Sequence, residues 1–168
     1  MIPNLRPTPQ ADFFPEWQIN PDTMTHSEAL ALDRVKENYL DLLEDPPLLE
    51  NTVKLVILAP LLDLAGLYRR PYRIQTETSI AIELENEGAI VRGRIDILVL
   101  NQALWLVVIE SKRSDFSVSR AIAQTLSYML SNSTQTITFG LITNGTEFLF
   151  LKSQTQPDPS YATSRLFL

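Results

Sequence analysis

Apolar residues along this chain follow a helical spacing first, then alternate, then return briefly to the helical period. The apolar positions Leu30, Val35, Leu42 and Leu43, behind a candidate N-cap at Ser27, predict a helix to about Glu44, ended by Asp45-Pro46-Pro47. A second helix is expected from about Leu48 to Ala65, stopping near Gly66. Pro60 inside it should kink the helix or leave a backbone carbonyl free. The period then becomes two. Ile74 to Leu84 alternates, Asn86-Glu87-Gly88 turns the chain, Ala89 to Leu100 follows, and Asn101-Gln102 turns it again into Leu104 to Glu110. This predicts three consecutive antiparallel strands. A helix from about Ser117 to Leu130 comes next, then Thr136 to Ile142, the turn Thr143-Asn144-Gly145-Thr146, and Glu147 to Leu151; Asn-Gly between apolar runs favours a hairpin. The order ααβββαββ implies an α/β sandwich around a mixed central sheet. Residues 1–24 hold five prolines and are expected to form an extended arm, docked on its own domain or on a neighbouring subunit. Residues 25–168 then form a single domain, with no internal repeat or low-complexity tract.

Two of the apolar runs carry charges. Asp96 lies in Gly93 to Leu100, and Glu110 and Lys112 lie in Leu104 to Lys112. An unpaired ion in a buried strand costs several kcal/mol (order of magnitude), so such residues need a partner or a task. Glu110 and Lys112 are two apart and share a face. If the runs pair as a hairpin, Asp96 can reach that face too. Two carboxylates and an amine at one sheet edge suit a divalent cation and phosphodiester hydrolysis. The plainer reading is a structural ion pair of the acids with Lys112 or an arginine.

Composition narrows the chemistry. The chain has 168 residues, no cysteine and one histidine, His26. Disulfides, thiolate zinc sites and cysteine nucleophiles are excluded, and a Ser-His-Asp triad is disfavoured. His26 fits an exposed or capping role, and Trp17 and Trp105 read as core or interface anchors. No apolar run spans a membrane, and the N-terminal segment lacks the features of a secretory signal, which fits a cytoplasmic protein. The net charge of −6 is concentrated early: residues 1–50 carry ten acids and three bases, whereas residues 51–120 carry eight acids and nine bases. Bases cluster at Arg69, Arg70 and Arg73, at Arg92 and Arg94, and at Lys112, Arg113 and Arg120, so local phosphate contact is compatible with an acidic chain.

With Asp96 on the second strand, Glu110-Ser111-Lys112 on the third, and Gln124 and Tyr128 on the next helix, the chain resembles the PD-(D/E)xK, or restriction-endonuclease-like, nuclease superfamily. The likeness is greatest to the N-terminal nuclease domain of type I restriction motor subunits and to RecB-like nucleases. Glu50 ten residues ahead of Pro60-Leu61-Leu62, and the stretch Phe139 to Phe150, also fit that pattern, which covers Leu48 to Lys152. Gly93-Arg94-Ile95 precedes Asp96 where the superfamily name expects a proline. No GxxxxGK loop or target-recognition region is present.

The resemblance implies a three-layer α/β/α sandwich. It implies Mg²⁺ (or Mn²⁺) held by Asp96 and Glu110, with the Ser111 carbonyl and Glu50 as further ligands, although Glu50 equally suits a helix start. Lys112 would hold or deprotonate the attacking water. Gln124 and Tyr128 would contact the nucleic-acid backbone or support the Glu-x-Lys strand; they also fit an ordinary amphipathic helix. Arg113, Arg120 and Arg94 would touch phosphates. The expected substrate is DNA, the expected assembly a homodimer, with another subunit supplying recognition or motor activity and no membrane association. The rival reading keeps the fold as a catalytically inactive module for nucleic-acid binding or assembly.

Overall fold

The structure is a computed structural model and describes residues 5–8, 12–18, 23–45, 47–83, 90–102, 104–132 and 135–168. Its frame is a seven-stranded sheet in the order β1-β7-β6-β5-β4-β3-β2. The strands are β1 (Arg6–Pro7), β2 (Tyr72–Glu83), β3 (Ile90–Asn101), β4 (Leu104–Ser111), β5 (Ile137–Thr143), β6 (Phe148–Gln154) and β7 (Ser160–Thr163). Strands β2 to β4 are antiparallel neighbours, β4 runs parallel to β5, and β5 to β7 are again antiparallel. The β4–β5 pair is parallel because a helix intervenes between them. The expected mixed sheet is present. Strands β1 and β7 extend it beyond the expected five, and Arg6–Pro7 of the arm pairs with Ser160 and Tyr161 of its own chain. The expected turn at Asn86-Glu87-Gly88 lies outside the described residues.

Alternation along the central strands feeds two separate cores, as period-two side chains must. Leu98, Leu100, Val108 and Ile142 pack with Val118, Ala121, Leu126 and Met129 on one face. These helical residues belong to a 3₁₀ turn, Val118–Ala121, that leads into α4 (Ile122–Met129). Ile97, Val99 and Ile109 pack on the other face against Leu58 and Leu62. Helix α1 (His26–Leu42) lies outside this layer, where Tyr39 joins Val53 and Ile57. Burial of each such aliphatic side chain stabilises the fold by about 1.5–3 kcal/mol.

Two local features differ from the sequence expectation. The N-cap of α1 is Thr25 rather than Ser27: its hydroxyl accepts from the Glu28 backbone N–H while the Glu28 carboxylate accepts from the Thr25 N–H, a complete capping box. The second helix is three pieces: α2 (Glu50–Val53), a π turn (Lys54–Leu58) and α3 (Ala59–Leu64). Pro60 has no N–H and its ring crowds the carbonyl four residues earlier. The helix widens ahead of it, so that the Ala59 N–H bonds to the Lys54 carbonyl, five residues back.

Candidate active site

The chemistry-bearing residues meet where the end of β4 lies beside the middle of β3, next to α2 and α4. Ile97 pairs with Ile109 across β3 and β4, which brings Asp96 beside the end of β4. There the Ser111 backbone N–H donates to Asp96 Oδ2 at 2.8 Å. Ser111 Oγ donates to the Glu50 carbonyl at 3.3 Å. One residue of β4 therefore fastens both Asp96 and the start of α2.

Glu110 is the most constrained group. It is 3% exposed and its Oε1 accepts from Lys112 Nζ at 2.6 Å and from Gln124 Nε2 at 2.8 Å. The second amide hydrogen of Gln124 goes to the Tyr128 hydroxyl at 2.8 Å. Gln124 and Tyr128 share one face of α4, as their spacing requires, and together they orient Glu110 from above. Gly93 makes room for this: a Cβ there would lie 2.6 Å from Tyr128 Cε1, so the ring seats directly on the β3 backbone. The glycine of Gly93-Arg94-Ile95 thus has a packing role.

Glu110 Oε2 is buried and accepts no hydrogen bond from any described residue. An ionised carboxylate oxygen left this way is costly. The pKa of Glu110 is accordingly pushed up to about 7, first by burial and then by the negative charges of Asp96 and Glu50, with Lys112 opposing. Asp96 and Glu50 therefore act on Glu110 through space. The donor set is of the kind a hard divalent cation takes: Glu110 Oε2 and Asp96 would be carboxylate donors, with Glu50 and the Ser111 carbonyl near them. Among the described residues no group of three or more His, Cys, Asp or Glu side chains is placed to hold a metal ion.

The sequence reading missed Lys54. Its Nζ donates to Asp96 Oδ1 at 2.7 Å and lies 3.4 Å from Glu77 Oε1. Burial pulls its pKa down, but Asp96 and Glu77 together outweigh this and hold it above the usual lysine value. Lys54 sits four residues after Glu50, on the same helical face, and that spacing was the available clue. Of the arginines expected at phosphate, Arg94 is tied to Glu77 at 2.6 Å and Arg113 to Asp115 at 3.0 Å, while Arg120 is exposed in the last turn of the 3₁₀ segment. His26 is the exposed first residue of α1. Trp17 packs edge-on against Phe167, and Trp105 borders the α4 core.

A mixed sheet covered by helices, with an acid on one strand and Glu-x-Lys on the next, defines a restriction-endonuclease-like domain. The chain belongs to the family described as the type I restriction enzyme R protein N terminus, whose model matches residues 17–159. Its fold is similar to a fragment of a candidate HsdR subunit of a type I restriction enzyme from Vibrio vulnificus YJ016, with a TM-score of 0.52 and 19% identity over 73% of this chain. The match covers 24% of that longer chain. No curated protein matches the sequence. Among the described residues no helix is long and apolar enough to cross a membrane.

Proposed function

We propose that this domain hydrolyses DNA phosphodiester bonds with the help of Mg²⁺ or Mn²⁺, as the nuclease component of a restriction or DNA-processing system. The observation that carries the reading is the buried, unpartnered Glu110 Oε2 beside Asp96 and Lys112. When bound between Asp96 and Glu110, a divalent ion would polarise the scissile phosphate and acidify a water. Lys112, 12% exposed and donating to Glu110 Oε1, would orient that water and offset charge gathering on the phosphate oxygens. Gln124 and Tyr128 position Glu110. Arg120 supplies an exposed cation for the DNA backbone. Two copies, each with one such site, would cut both strands, and recognition or translocation would come from other subunits. In a cleavage assay with Mg²⁺ or Mn²⁺, the wild-type chain should degrade DNA, and Asp96→Ala or Lys112→Ala should lower the rate by at least about a hundredfold. Equal rates in those variants would reject the site.

A second reading rests on a specific observation. Both acids already hold an ammonium partner, Lys54 on Asp96 and Lys112 on Glu110, as a catalytically silent assembly module would. Calorimetric titration separates the two, because a silent module binds no Mg²⁺ or Mn²⁺ through these carboxylates.

A further inference from the structure

The mechanism above uses Lys112 and leaves a second part-buried ammonium near Asp96, Lys54, without a task. Its surroundings are unusually specific. Lys54 opens the π turn that Pro60 imposes on the second helix, a geometry that occurs mostly as single turns within α-helices. Across from it, Thr76 pairs with Ile97 and Thr78 with Ile95, so Glu77 falls opposite Asp96. Glu77 does so with φ of +55°, a left-handed conformation that costs a non-glycine residue about 1 kcal/mol and is kept where the surroundings enforce it. The two oxygens of Glu77 are divided. Oε2 is clamped by Arg94 Nε at 2.6 Å, which leaves Oε1 facing Lys54 Nζ at 3.4 Å. The ammonium therefore stands between two carboxylates, bonded closely to Asp96 at 2.7 Å and more loosely to Glu77 at 3.4 Å.

We propose that Lys54 is a tethered cation that holds the Asp96 carboxylate when no divalent ion is present and passes to Glu77, held ready by Arg94, when one binds. This inference rests on the metal-dependent reading of Asp96 and Glu110. In it Lys54 is a positioning residue that sets the affinity of the site for its ion. It prevents two acids from facing each other uncompensated in the empty site, and it competes with the divalent ion for Asp96 Oδ1. Glu77 lowers the energy of that exchange by receiving the displaced charge, and Arg94 pairs with its other oxygen at the surface. Without a second acceptor, releasing Asp96 would strand a part-buried ammonium.

The test is calorimetric titration of the full chain with Mn²⁺ at pH 8, with thermal melts of the metal-free proteins as a check on folding. Lys54→Met should bind Mn²⁺ roughly tenfold more tightly than wild type, because the competitor is gone. Glu77→Gln should bind several-fold more weakly. The double variant should match Lys54→Met, since Glu77 acts through Lys54. Unchanged or weaker binding by Lys54→Met, or a Glu77→Gln effect that persists undiminished in the double variant, would overturn the inference and leave ordinary additive electrostatics. If Lys54→Met fails to fold, Lys54→Arg carries the test. Its planar fork grips Asp96 by two hydrogen bonds, so Mn²⁺ binding should weaken, and wild-type affinity would overturn the proposal. Failure of the underlying reading is distinguishable: binding that survives Glu110→Gln and Asp96→Asn at full strength removes the metal site itself. Binding lost in those two but indifferent to Lys54 removes only the exchange.

Discussion

Replacing Glu110 by glutamine should stabilise the metal-free protein at pH 8 and do the reverse at pH 5. In the folded chain the Glu110 carboxyl titrates at about 7, against 4.5 for the ordinary group. A folded-state value above the unfolded one means that the native state holds its proton longer. Below about pH 4.5 the group is neutral in both states and costs nothing. Between 4.5 and 7 the unfolded chain ionises first and stability falls with rising pH; above 7 the full penalty is present. At 1.36 kcal/mol per unit that penalty is about 3 kcal/mol. Glutamine removes it, yet its amide nitrogen takes the place of the unpartnered oxygen and Lys112 loses an anionic partner, which together cost about 1–2 kcal/mol. The net expectation is a gain of about 1–2 kcal/mol at pH 8 and a loss of about 1 kcal/mol at pH 5. Urea unfolding in EDTA at the two pH values measures it. A variant less stable than wild type at pH 8, or with the same offset at both, would refute the idea that burial strains this carboxylate. A divalent ion that binds Glu110 should for the same reason lose affinity as pH falls through 7.

The other predictions concern the supports of the site. Gly93→Ala places a methyl group 2.6 Å from the Tyr128 ring; it should cost about 1–3 kcal/mol in urea melts and lower cleavage by freeing Gln124 from Glu110, and an unaltered melt would show that the ring does not rest there. Lys152 is 11% exposed and bonded to Glu16 of the arm at 2.6 Å. Glu16→Ala should cost about 1–2 kcal/mol by stranding that ammonium, whereas Lys152→Met should stay within about 1 kcal/mol of wild type; equal losses in both would mean that the pair itself, rather than the buried charge, carries the stability.

The parts legible in the sequence are those governed by short-range periodicity. Alternation marked β2, β3 and β4, with Asp96 and Glu110 on them and Lys112 just past β4, because period-two side chains divide between the two faces of a sheet. The spacing of Gln124 and Tyr128 placed both on one face of α4. The capping box was also readable: Thr25-His26-Ser27-Glu28 has the required spacing, and Ser27 is simply the wrong member of the pair. Lys54 escaped notice because its partner is 42 residues away and its helix otherwise reads as core. Glu77 gave no local sign of its left-handed backbone, which glycine or asparagine would have advertised. Strands β1 and β7 have two and four residues, too short to show a period; β7 pairs with the neighbouring β6, and β1 exists through pairing with β7 across the length of the chain.

The central claim is that Glu110 and Asp96 jointly hold a divalent ion, and anomalous diffraction from crystals soaked in Mn²⁺ tests it most directly. The account predicts a single strong peak roughly 2.0–2.2 Å from Glu110 Oε2 and from one oxygen of Asp96, with Lys54 drawn toward Glu77. A map with no peak there, and with Lys54 still on Asp96 at millimolar Mn²⁺, would contradict it.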